Sequence, residues 1–432
     1  MSNNIKLNFE WLSSEATTLD RIAFAAIDIR VNGCSVTELE DINARTIRST
    51  ARVSAYQLAF WFAANWWRLI HEPERETLSW RMSHCLGAAG GGFVWPDLTF
   101  ASDGEFLLLS SRSTRGLFGA PVRYINSSDE TISLSDFGAE IDRFIEAVLE
   151  RVASCSTQIT PLAELWQSVR EERQTFESSK WRTFEALLGC DPDEADEQLI
   201  IEIQGYSSKW GNKAVEEIVA GTQQKAAKTI GEIDGYLSTS QTMKIPNLTS
   251  LRSEINTLDQ GQSPWRRAAY MASQARAAWG VGATQVMNGK LLADIFSLSE
   301  DFVNGTRQDV GVPIGVGCRN DYSSDYLEVV LTKRPQTGRH FELARLMADN
   351  LIAPSSDVLL PVTLAKTARQ KFQRSFAQEL LCPFAGLAEF LGNQTPDDET
   401  IEEAASYYHV SPLLVKTTLV NRGRLGRDVL IA

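Results

Sequence analysis

The residues with the clearest chemical potential lie in one stretch, residues 339–383, which reads RHFELARLMADNLIAPSSDVLLPVTLAKTARQKFQRSFAQELLCP. Apolar residues recur at helical spacing near both ends of this stretch and predict two amphipathic helices that pack on each other. Within the first helix, Arg345 and Asp349 stand four residues apart, the spacing of a helical ion pair. Two interpretations stay open: a solvated pair worth about 0.3–0.5 kcal/mol, or a buried pair that fixes the two helices in register.

A metal site is the other chemistry that this stretch suggests. His340, Glu342 and Asp349 carry groups that bind zinc. His340 and Glu342 are only two residues apart, however, and side chains at that spacing point to different faces of a helix. A zinc peptidase site at these three residues is therefore an alternative with poor geometry, and we expect neither a metal nor another cofactor.

The same stretch resembles the ImmA/IrrE family of zinc metallopeptidases. In that family an apolar lead-in and a His-Glu-x-x-His helix are followed by a helix that ends in a Phe-Ala-x-x-Leu-Leu-x-Pro pattern. The pattern is present here as Phe376, Ala377, Leu380, Leu381 and Pro383. The resemblance extends over residues 264–425, through an opening helix, a second helix and two strands, and implies a zincin-type fold for this part of the chain.

The resemblance also implies that the metal ligands are replaced. Alignment of the family's lead-in with residues 341–344 places Arg345 and Asp349 at the two His positions and Leu346 at the Glu position. Counting back from the second pattern places Phe372 at the position of the third ligand. A guanidinium cannot ligate a cation, and a leucine cannot act as a general base. A buried Arg345–Asp349 pair would fill the former metal cavity, so the resemblance argues for the fold and against the peptidase activity.

A second candidate site is the glycine-rich segment 84–97, HCLGAAGGGFVWPD. Three successive glycines permit positive φ angles or a close approach of another group to the backbone. A phosphate-binding loop would need a helix and usually a Lys or Ser/Thr after the glycines, whereas strand-like residues follow here. The segment is interpreted as a structural turn, as a ligand or partner loop or, least favoured, as a catalytic His84–Cys85 pair. Its candidate residues are His84, Gly90, Gly91, Gly92, Trp95 and Asp97.

Residues 401–423 have the period of a helix-turn-helix. Its second helix could present four polar residues to a DNA groove, namely Lys416, Thr417, Asn421 and Arg422. The resembled family has the same ending, packed against its peptidase core. Because the net charge of −13 repels a nucleic-acid backbone, a protein partner is expected and DNA is not favoured.

Length and composition predict a soluble chain of several domains, because 432 residues with 43% hydrophobic content can bury more than one core. We predict an α+β domain at 1–130, a helical region at 131–237, a polar linker at 238–263 and the degenerate peptidase-like domain at 264–432. In the first domain, the helix at 55–72 with Trp61, Trp66 and Trp67 should be the centre of the core. The longest apolar run, residues 56–70, is too short to span a bilayer, no secretory signal is evident, and six scattered cysteines indicate reduced thiols.

These features predict a mainly helical α+β protein of the cytoplasm, without a membrane span. The preferred hypothesis is a non-catalytic ImmA/IrrE-like binding or sensing protein, acting with a protein partner in stress response, a toxin–antitoxin pair or phage defence. The alternatives are a zinc peptidase with a relocated site and a helix-turn-helix DNA-binding regulator. The sequence indicates no oligomeric state.

Overall fold

A computed structural model describes residues 4–12, 18–114, 120–155, 158–246, 249–258, 262–305, 313–320, 323–392 and 395–430. The fold class is α+β, as predicted, with small antiparallel sheets among many helices. The chain divides into two compact units, Met1–Ile200 and Ile201–Ala432. The division therefore lies inside the region predicted as helical, 131–237.

The N-terminal unit contains three antiparallel sheets. In the first, Phe24–Val31 pairs with Ile5–Trp11, Cys34–Ser35 and Ala51–Ser54. In the second, Phe106–Arg112 lies between Asp97–Ser102 and Ser128–Ser133, and in the third Leu39–Asp41 lies between Thr46–Arg48 and Val122–Tyr124. The helices of this unit are Leu19–Ile22, Ala55–Ala64, Trp66–His71, Leu78–His84, Leu86–Ala89 (3₁₀), Leu134–Ala153, Pro161–Gln174 and Phe176–Leu188, and Glu197–Trp210 crosses into the next unit.

The core of the N-terminal unit forms around the predicted tryptophan-rich helix. Trp61, Trp66 and Trp67 are all buried, which confirms their expected role. The helix is not continuous, because it breaks at Asn65 into Ala55–Ala64 and Trp66–His71. The Leu134–Ala153 helix packs its apolar face on this core, and Ser133 caps it by accepting a hydrogen bond from Asp136 N at 3.0 Å.

The C-terminal unit is built on one four-stranded antiparallel sheet in the order Gln241–Lys244, Ser323–Val330, Gly315–Asn320, Leu359–Val362. The Gln336–Ile352 helix, called the central helix below, packs on this sheet and on Ala368–Leu381, called the companion helix. The remaining helices are Asn212–Thr222, Gln223–Lys225 (3₁₀), Ala226–Gly231, Ile233–Leu237, Thr249–Thr257, Pro264–Ala278, Gly289–Phe296, Glu300–Asn304, Phe384–Leu391, Asp398–Tyr408, Pro412–Asn421 and Arg427–Leu430 (3₁₀).

The described part of the predicted linker, 238–263, does not behave as a linker. Its strand Gln241–Lys244 pairs with Tyr326–Val329 of the sheet, and Met243, Leu251 and Ile255 are buried in the core of the C-terminal unit. The polar composition that suggested a linker belongs to the exposed faces of these short elements. Within the described residues, no helix is both long enough and apolar enough to cross a membrane, and all six cysteines are free thiols.

Candidate functional site

The central helix is buried on nearly all sides, although its apolar spacing predicted an amphipathic helix. From Arg339 to Leu351, every residue except Phe341 is buried. Its polar side chains are accommodated by neighbours on other elements. Arg319, for example, donates to the carbonyl oxygens of Asn350 (3.2 Å), Ala353 (3.2 Å) and Pro354 (2.6 Å), and so satisfies acceptors at the C-terminus of the helix.

Arg345 joins the central helix to the companion helix and to the end of strand Leu359–Val362, called the edge strand below. Its side chain is only 5% exposed. Nη2 donates to the Thr363 carbonyl oxygen at 2.8 Å and to Gln370 Oε1 at 2.5 Å. Gln370 Oε1 also accepts from Thr363 N at 3.0 Å, and Gln370 Nε2 donates to the Pro361 carbonyl oxygen at 3.0 Å. The four groups form a closed hydrogen-bond network at the end of the edge strand.

Asp349 forms its ion pair with Arg369 of the companion helix, and the predicted pairing with Arg345 is wrong. Arg369 Nε and Nη2 reach Asp349 Oδ1 and Oδ2 at 2.6 and 2.8 Å, while Nη1 reaches Asp357 Oδ2 at 2.6 Å. Such a two-pronged guanidinium–carboxylate contact is favoured over a sideways contact along one helix. Burial alone would lower the pKa of Arg369, but the carboxylates of Asp349, Glu217 and Asp357 raise it.

Two further charged residues lie beside this pair. Glu217, from the Asn212–Thr222 helix, accepts a hydrogen bond from Thr367 Oγ1 at 2.7 Å, and its pKa is raised by burial although Arg369 opposes the shift. Arg374, one turn after Gln370 on the companion helix, donates to the Ala365 carbonyl oxygen at 3.0 Å, and burial lowers its pKa. Burial and the nearby charge of Arg374 lower the pKa of Arg345 to about 9.

Leu346 and Phe372 are core residues. Leu346 is fully enclosed and Phe372 is 2% exposed, with its ring stacked on Phe376 at 6.3 Å between centroids. Both belong to the same hydrophobic core as the packing face of the central helix. The positions that the resemblance assigns to a metal site are therefore filled by an aliphatic chain, a phenyl ring and two hydrogen-bonded charged groups.

The side chains proposed for a relocated metal site contact different neighbours. His340 Nε2 lies 3.3 Å from Asn304 Oδ1, and burial, followed by the charges of His409 and Arg339, lowers its pKa to about 4. Glu342 accepts hydrogen bonds from Thr332 N and Oγ1 at 2.7 and 2.6 Å. In the parts of the chain that the structure describes, no group of three His, Cys, Asp or Glu residues could hold a metal ion.

The glycine-rich segment forms a turn that is stabilised by contacts of its own side chains. Gly90, Gly91 and Gly92 all have positive φ angles, from 66° to 78°. The buried Trp95 donates its indole N–H to the Gly90 carbonyl oxygen at 2.8 Å, and Cys85 Sγ lies 3.6 Å from Asp97 Oδ1.

His84, at the start of this segment, is fully buried. Its ring stacks on Trp80, with 4.3 Å between centroids, and burial lowers its pKa to about 4. Of the two ring nitrogens, Nδ1 lies 2.8 Å from the Trp80 carbonyl oxygen and Nε2 lies 3.2 Å from that of Arg68. These contacts favour the structural interpretation of the segment.

Residues 398–421 form two contacting helices, Asp398–Tyr408 and Pro412–Asn421, joined by a short turn. Asp397 and Ser411 cap the two helices, His409 takes the left-handed conformation in the turn, and Val415 and Leu419 are buried. The cations predicted to contact DNA are paired with acids.

Lys416 Nζ reaches Asp398 at 2.8 Å and Arg422 reaches Glu379 at 2.9 Å. Thr417 Oγ1 donates to the Leu413 carbonyl oxygen at 2.7 Å, and Asn421 is exposed.

Sequence reasoning missed the residues that complete the central cluster. The pairs Arg369/Gln370 and Gln373/Arg374 stand four residues apart and so form one polar stripe on the companion helix, a local signal that the four side chains lie together. Glu217 had no such signal, because it lies 150 residues from its partner Thr367. Comparison with known protein families, with curated proteins and with solved structures found no match to this chain.

Proposed function

We propose that this chain is a non-catalytic, ImmA/IrrE-like binding or sensing protein of the cytoplasm that acts with a protein partner. The observation that carries the proposal is the set of contacts at positions 345, 346, 349 and 372. A metal ion needs lone pairs from several ligands, yet Asp349 is the one side chain of these four that could ligate, and its carboxylate is paired with the cationic Arg369. Arg345 contributes only donors, and Leu346 and Phe372 contribute hydrocarbon.

The arrangement of elements supports the family part of the proposal. An opening helix, Pro264–Ala278, is followed by helices Gly289–Phe296 and Glu300–Asn304, by two strands of an antiparallel sheet, by the central helix, by strand Leu359–Val362 and by the companion helix. The resemblance implied this order except for Glu300–Asn304 and Leu359–Val362, which are additional. Family members with this order act in stress response, toxin–antitoxin pairs or phage defence, and a role of that kind follows by analogy.

The binding site under this proposal is the groove between the helices predicted at 341–352 and 366–381, where loop 363–367 connects the edge strand to the companion helix. Leu364 in this loop is 83% exposed, while Ala365 beside it is 6% exposed. Leu364 is the apolar side chain that this loop would offer to a partner.

The first experiment measures the metal content of protein purified without chelator or histidine tag, together with hydrolysis of unstructured protein substrates. The expected result is a folded protein with far less than one zinc per chain and no hydrolysis above background. Stoichiometric zinc accompanied by hydrolysis would overturn the proposal, because the ligands would then have to lie elsewhere in the chain.

The second experiment tests the groove. Cross-linking in the native cells should attach one recurrent protein to the wild-type chain, and Arg345→Ala and Asp349→Ala should reduce that capture. Lys416→Ala, a change in the helix-turn-helix, serves as the control that keeps capture. If either variant, shown by circular dichroism to be folded, keeps full capture, the groove is not the binding site.

A further inference from the structure

Phe390 and Tyr407 form an exposed aromatic pair on two neighbouring helices. Phe390, from Phe384–Leu391, is 40% exposed, and Tyr407, from Asp398–Tyr408, is 53% exposed. Their ring centroids lie 5.2 Å apart, with an angle of 35° between the ring planes. The buried Tyr408 contacts both rings, at 6.4 Å from Phe390 and 5.0 Å from Tyr407 between centroids. The two helices therefore present one continuous aromatic surface to solvent.

Exposed carboxylates flank this aromatic pair. Glu389 directly precedes Phe390. Glu399 and Glu403 stand eight and four residues before Tyr407, which places them on the same side of the helix. The three glutamates are exposed, and in the described part of the chain none of them has an ion pair or a side-chain hydrogen bond. These five residues are called the aromatic–acidic patch.

The charge of the surrounding sequence has one sign. Residues 384–411 contain acidic side chains and no Lys or Arg. Cations from later in the chain already have acceptors on these elements, namely Lys416 with Asp398, Arg422 with Glu379, and Arg424 with the Gly392 carbonyl oxygen. The aromatic–acidic patch therefore attracts a cation and repels nucleic acids and anionic membranes.

An arginine side chain fits the aromatic–acidic patch in both shape and charge. Its guanidinium stacks on aromatic rings and pairs with a carboxylate through two parallel hydrogen bonds. On the helix, Glu399, Glu403 and Tyr407 follow one another at intervals of about 6 Å, the rise of four helical residues. Two residues of an extended chain span about the same distance. A segment with arginine at alternate positions therefore matches the spacing of the patch.

We propose that the aromatic–acidic patch binds an arginine-rich segment of a protein partner. One guanidinium stacks on the Phe390–Tyr407 pair beside Glu389, and the next two pair with Glu403 and Glu399. The inference rests on the proposed action with a protein partner and names the side chain that this partner presents. It uses other helices than the groove at loop 363–367, so the two surfaces are tested separately.

Fluorescence anisotropy of a labelled peptide tests the patch on the full chain. The probe is fluorescein-Gly-Arg-Gly-Arg-Gly-Arg-Gly-amide. It should bind saturably at physiological ionic strength and more weakly as salt increases. The same peptide with citrulline in place of arginine keeps the planar side chain without its charge, and it should not bind.

Matched variants assign the binding to the patch. Glu389→Gln/Phe390→Ala removes one carboxylate and one ring, and it should weaken peptide binding at least about threefold. Phe176→Ala/Glu177→Gln makes the same two changes at an exposed aromatic residue of the N-terminal unit and should leave the affinity unchanged. Tyr407→Phe should keep full binding, whereas Tyr407→Leu should weaken it about two- to fivefold, because leucine is apolar but has no ring on which a cation can stack.

The inference is overturned if the arginine peptide does not bind saturably even at low salt, or if the citrulline peptide binds equally well. Undiminished binding by Glu389→Gln/Phe390→Ala or by Tyr407→Leu overturns it as well, and so does an equal loss in the control. Self-association of the wild type that Glu389→Gln/Phe390→Ala abolishes in sedimentation velocity would assign the patch to a second copy of this chain instead.

Circular dichroism shows whether each variant is folded. If Glu389→Gln/Phe390→Ala does not fold, Glu389→Gln/Glu403→Gln carries the comparison, because it changes exposed carboxylates alone. Its matched control is Glu150→Gln/Glu177→Gln, at exposed carboxylates of the N-terminal unit. Zinc content and capture at the groove decide the proposed function separately, so either idea can fail alone.

Discussion

The pair of Asp349 and Arg369 holds the central helix against the companion helix through two short hydrogen bonds in the protein interior. Asp349→Ala removes the two-pronged ion pair of the buried Arg369, so we expect the free energy of unfolding to fall by about 3–5 kcal/mol. Arg345→Met removes a cation whose described hydrogen bonds go to two neutral acceptors, and we expect a loss of less than about 2 kcal/mol because only those acceptors are left behind. Urea unfolding monitored by circular dichroism measures both.

A double-mutant cycle distinguishes the Asp349–Arg369 pair from the predicted pair of Asp349 and Arg345 along the central helix. The coupling energy between Asp349 and Arg369 should be large, and that between Asp349 and Arg345 close to zero. Strong coupling of Asp349 to Arg345 would contradict the partner assignment. The helical spacing of Arg345 and Asp349 predicted a contact between them, but spacing along one helix cannot weigh the competing Arg369, which lies 20 residues further along the chain.

Glu217 should make stability fall as the pH rises. Its folded pKa is raised by burial, so above the unfolded value of about 4.5 the unfolded chain releases a proton that the folded chain keeps. Glu217→Gln keeps an oxygen acceptor for Thr367 and removes the titration. We therefore expect the variant to be more stable than the wild type at pH 7 and to lose this pH dependence in urea unfolding.

Glu216→Gln, on the same helix but paired with Lys213 near the surface, serves as the control for Glu217→Gln. It should leave the slope unchanged. A wild-type slope that persists in Glu217→Gln would show that another group titrates.

Among the elements, the turn at Gly90–Gly92 provides a matched pair of variants. Alanine at either Gly91 or Gly92 must adopt a positive φ angle, at a cost of about 1–2 kcal/mol. At Gly91 the added Cβ would also lie 2.9 Å from Gln57 Cγ, whereas at Gly92 it meets nothing within 4 Å. Gln57 cannot yield freely, because its amide donates to Asp20 Oδ1 at 2.9 Å.

We therefore expect Gly91→Ala to lower the free energy of unfolding by more than Gly92→Ala does, as measured by urea midpoints at an unchanged slope. Equal and negligible losses would contradict the structural interpretation and return the segment to the role of a binding loop.

The outer edge of strand Ile5–Trp11 is protected by a charged pair from the Leu134–Ala153 helix. Leu7 N donates to Glu140 Oε1 at 2.5 Å, and its carbonyl oxygen accepts from Arg143 Nη2 at 2.7 Å. Free strand edges pair with other chains. The double variant Glu140→Ala/Arg143→Ala should therefore self-associate with increasing concentration in sedimentation velocity.

The control for this edge is Glu146→Ala/Arg170→Ala, which removes an exposed ion pair between the same helix and Pro161–Gln174. The control should remain as monodisperse as the wild type. Association of both double variants to the same extent would attribute the effect to lost surface charge instead of a freed edge.

The elements that the sequence predicted well are those with strong local signals. Ser133 and the apolar face behind it specified the Leu134–Ala153 helix, and the two apolar periods in residues 339–383 specified the central and companion helices. The linker prediction failed because Met243 is one buried residue in a short polar strand, a pattern that gains meaning only from its pairing with Leu327. Glu217 lies beside Arg369 and Thr367 through tertiary packing alone, and no local sequence pattern predicts this position.

For the whole molecule, charge argues against DNA binding. The chain carries a net charge of −13, and Lys416 and Arg422 are paired with Asp398 and Glu379. We expect no shift of duplex DNA in a gel assay even at low salt. The variant Asp398→Asn/Glu379→Gln, which frees both cations, should bind weakly and lose that binding as salt increases. Salt-sensitive binding by the wild type would instead favour the helix-turn-helix alternative.

Each compact unit contains one buried histidine whose pKa is lowered to about 4 by burial: His84 in the N-terminal unit and His340 in the C-terminal unit. Between that value and the unfolded pKa of about 6.5, the unfolded chain binds a proton that the folded unit excludes. Stability should therefore fall as the pH drops from 6.5 to 4, by up to roughly 3 kcal/mol per histidine.

Because the two histidines belong to different units, their effects can be separated by native-state hydrogen exchange with peptide resolution. His84→Gln should flatten the acid slope for peptides of the N-terminal unit alone, and His340→Gln should flatten it for peptides of the C-terminal unit alone. Each variant is thus the control for the other. A substitution that lowers stability equally at every pH does not alter the slope of stability against pH, and that slope is the quantity compared. Flattening in both units by either variant would mean that the two units unfold as one cooperative body.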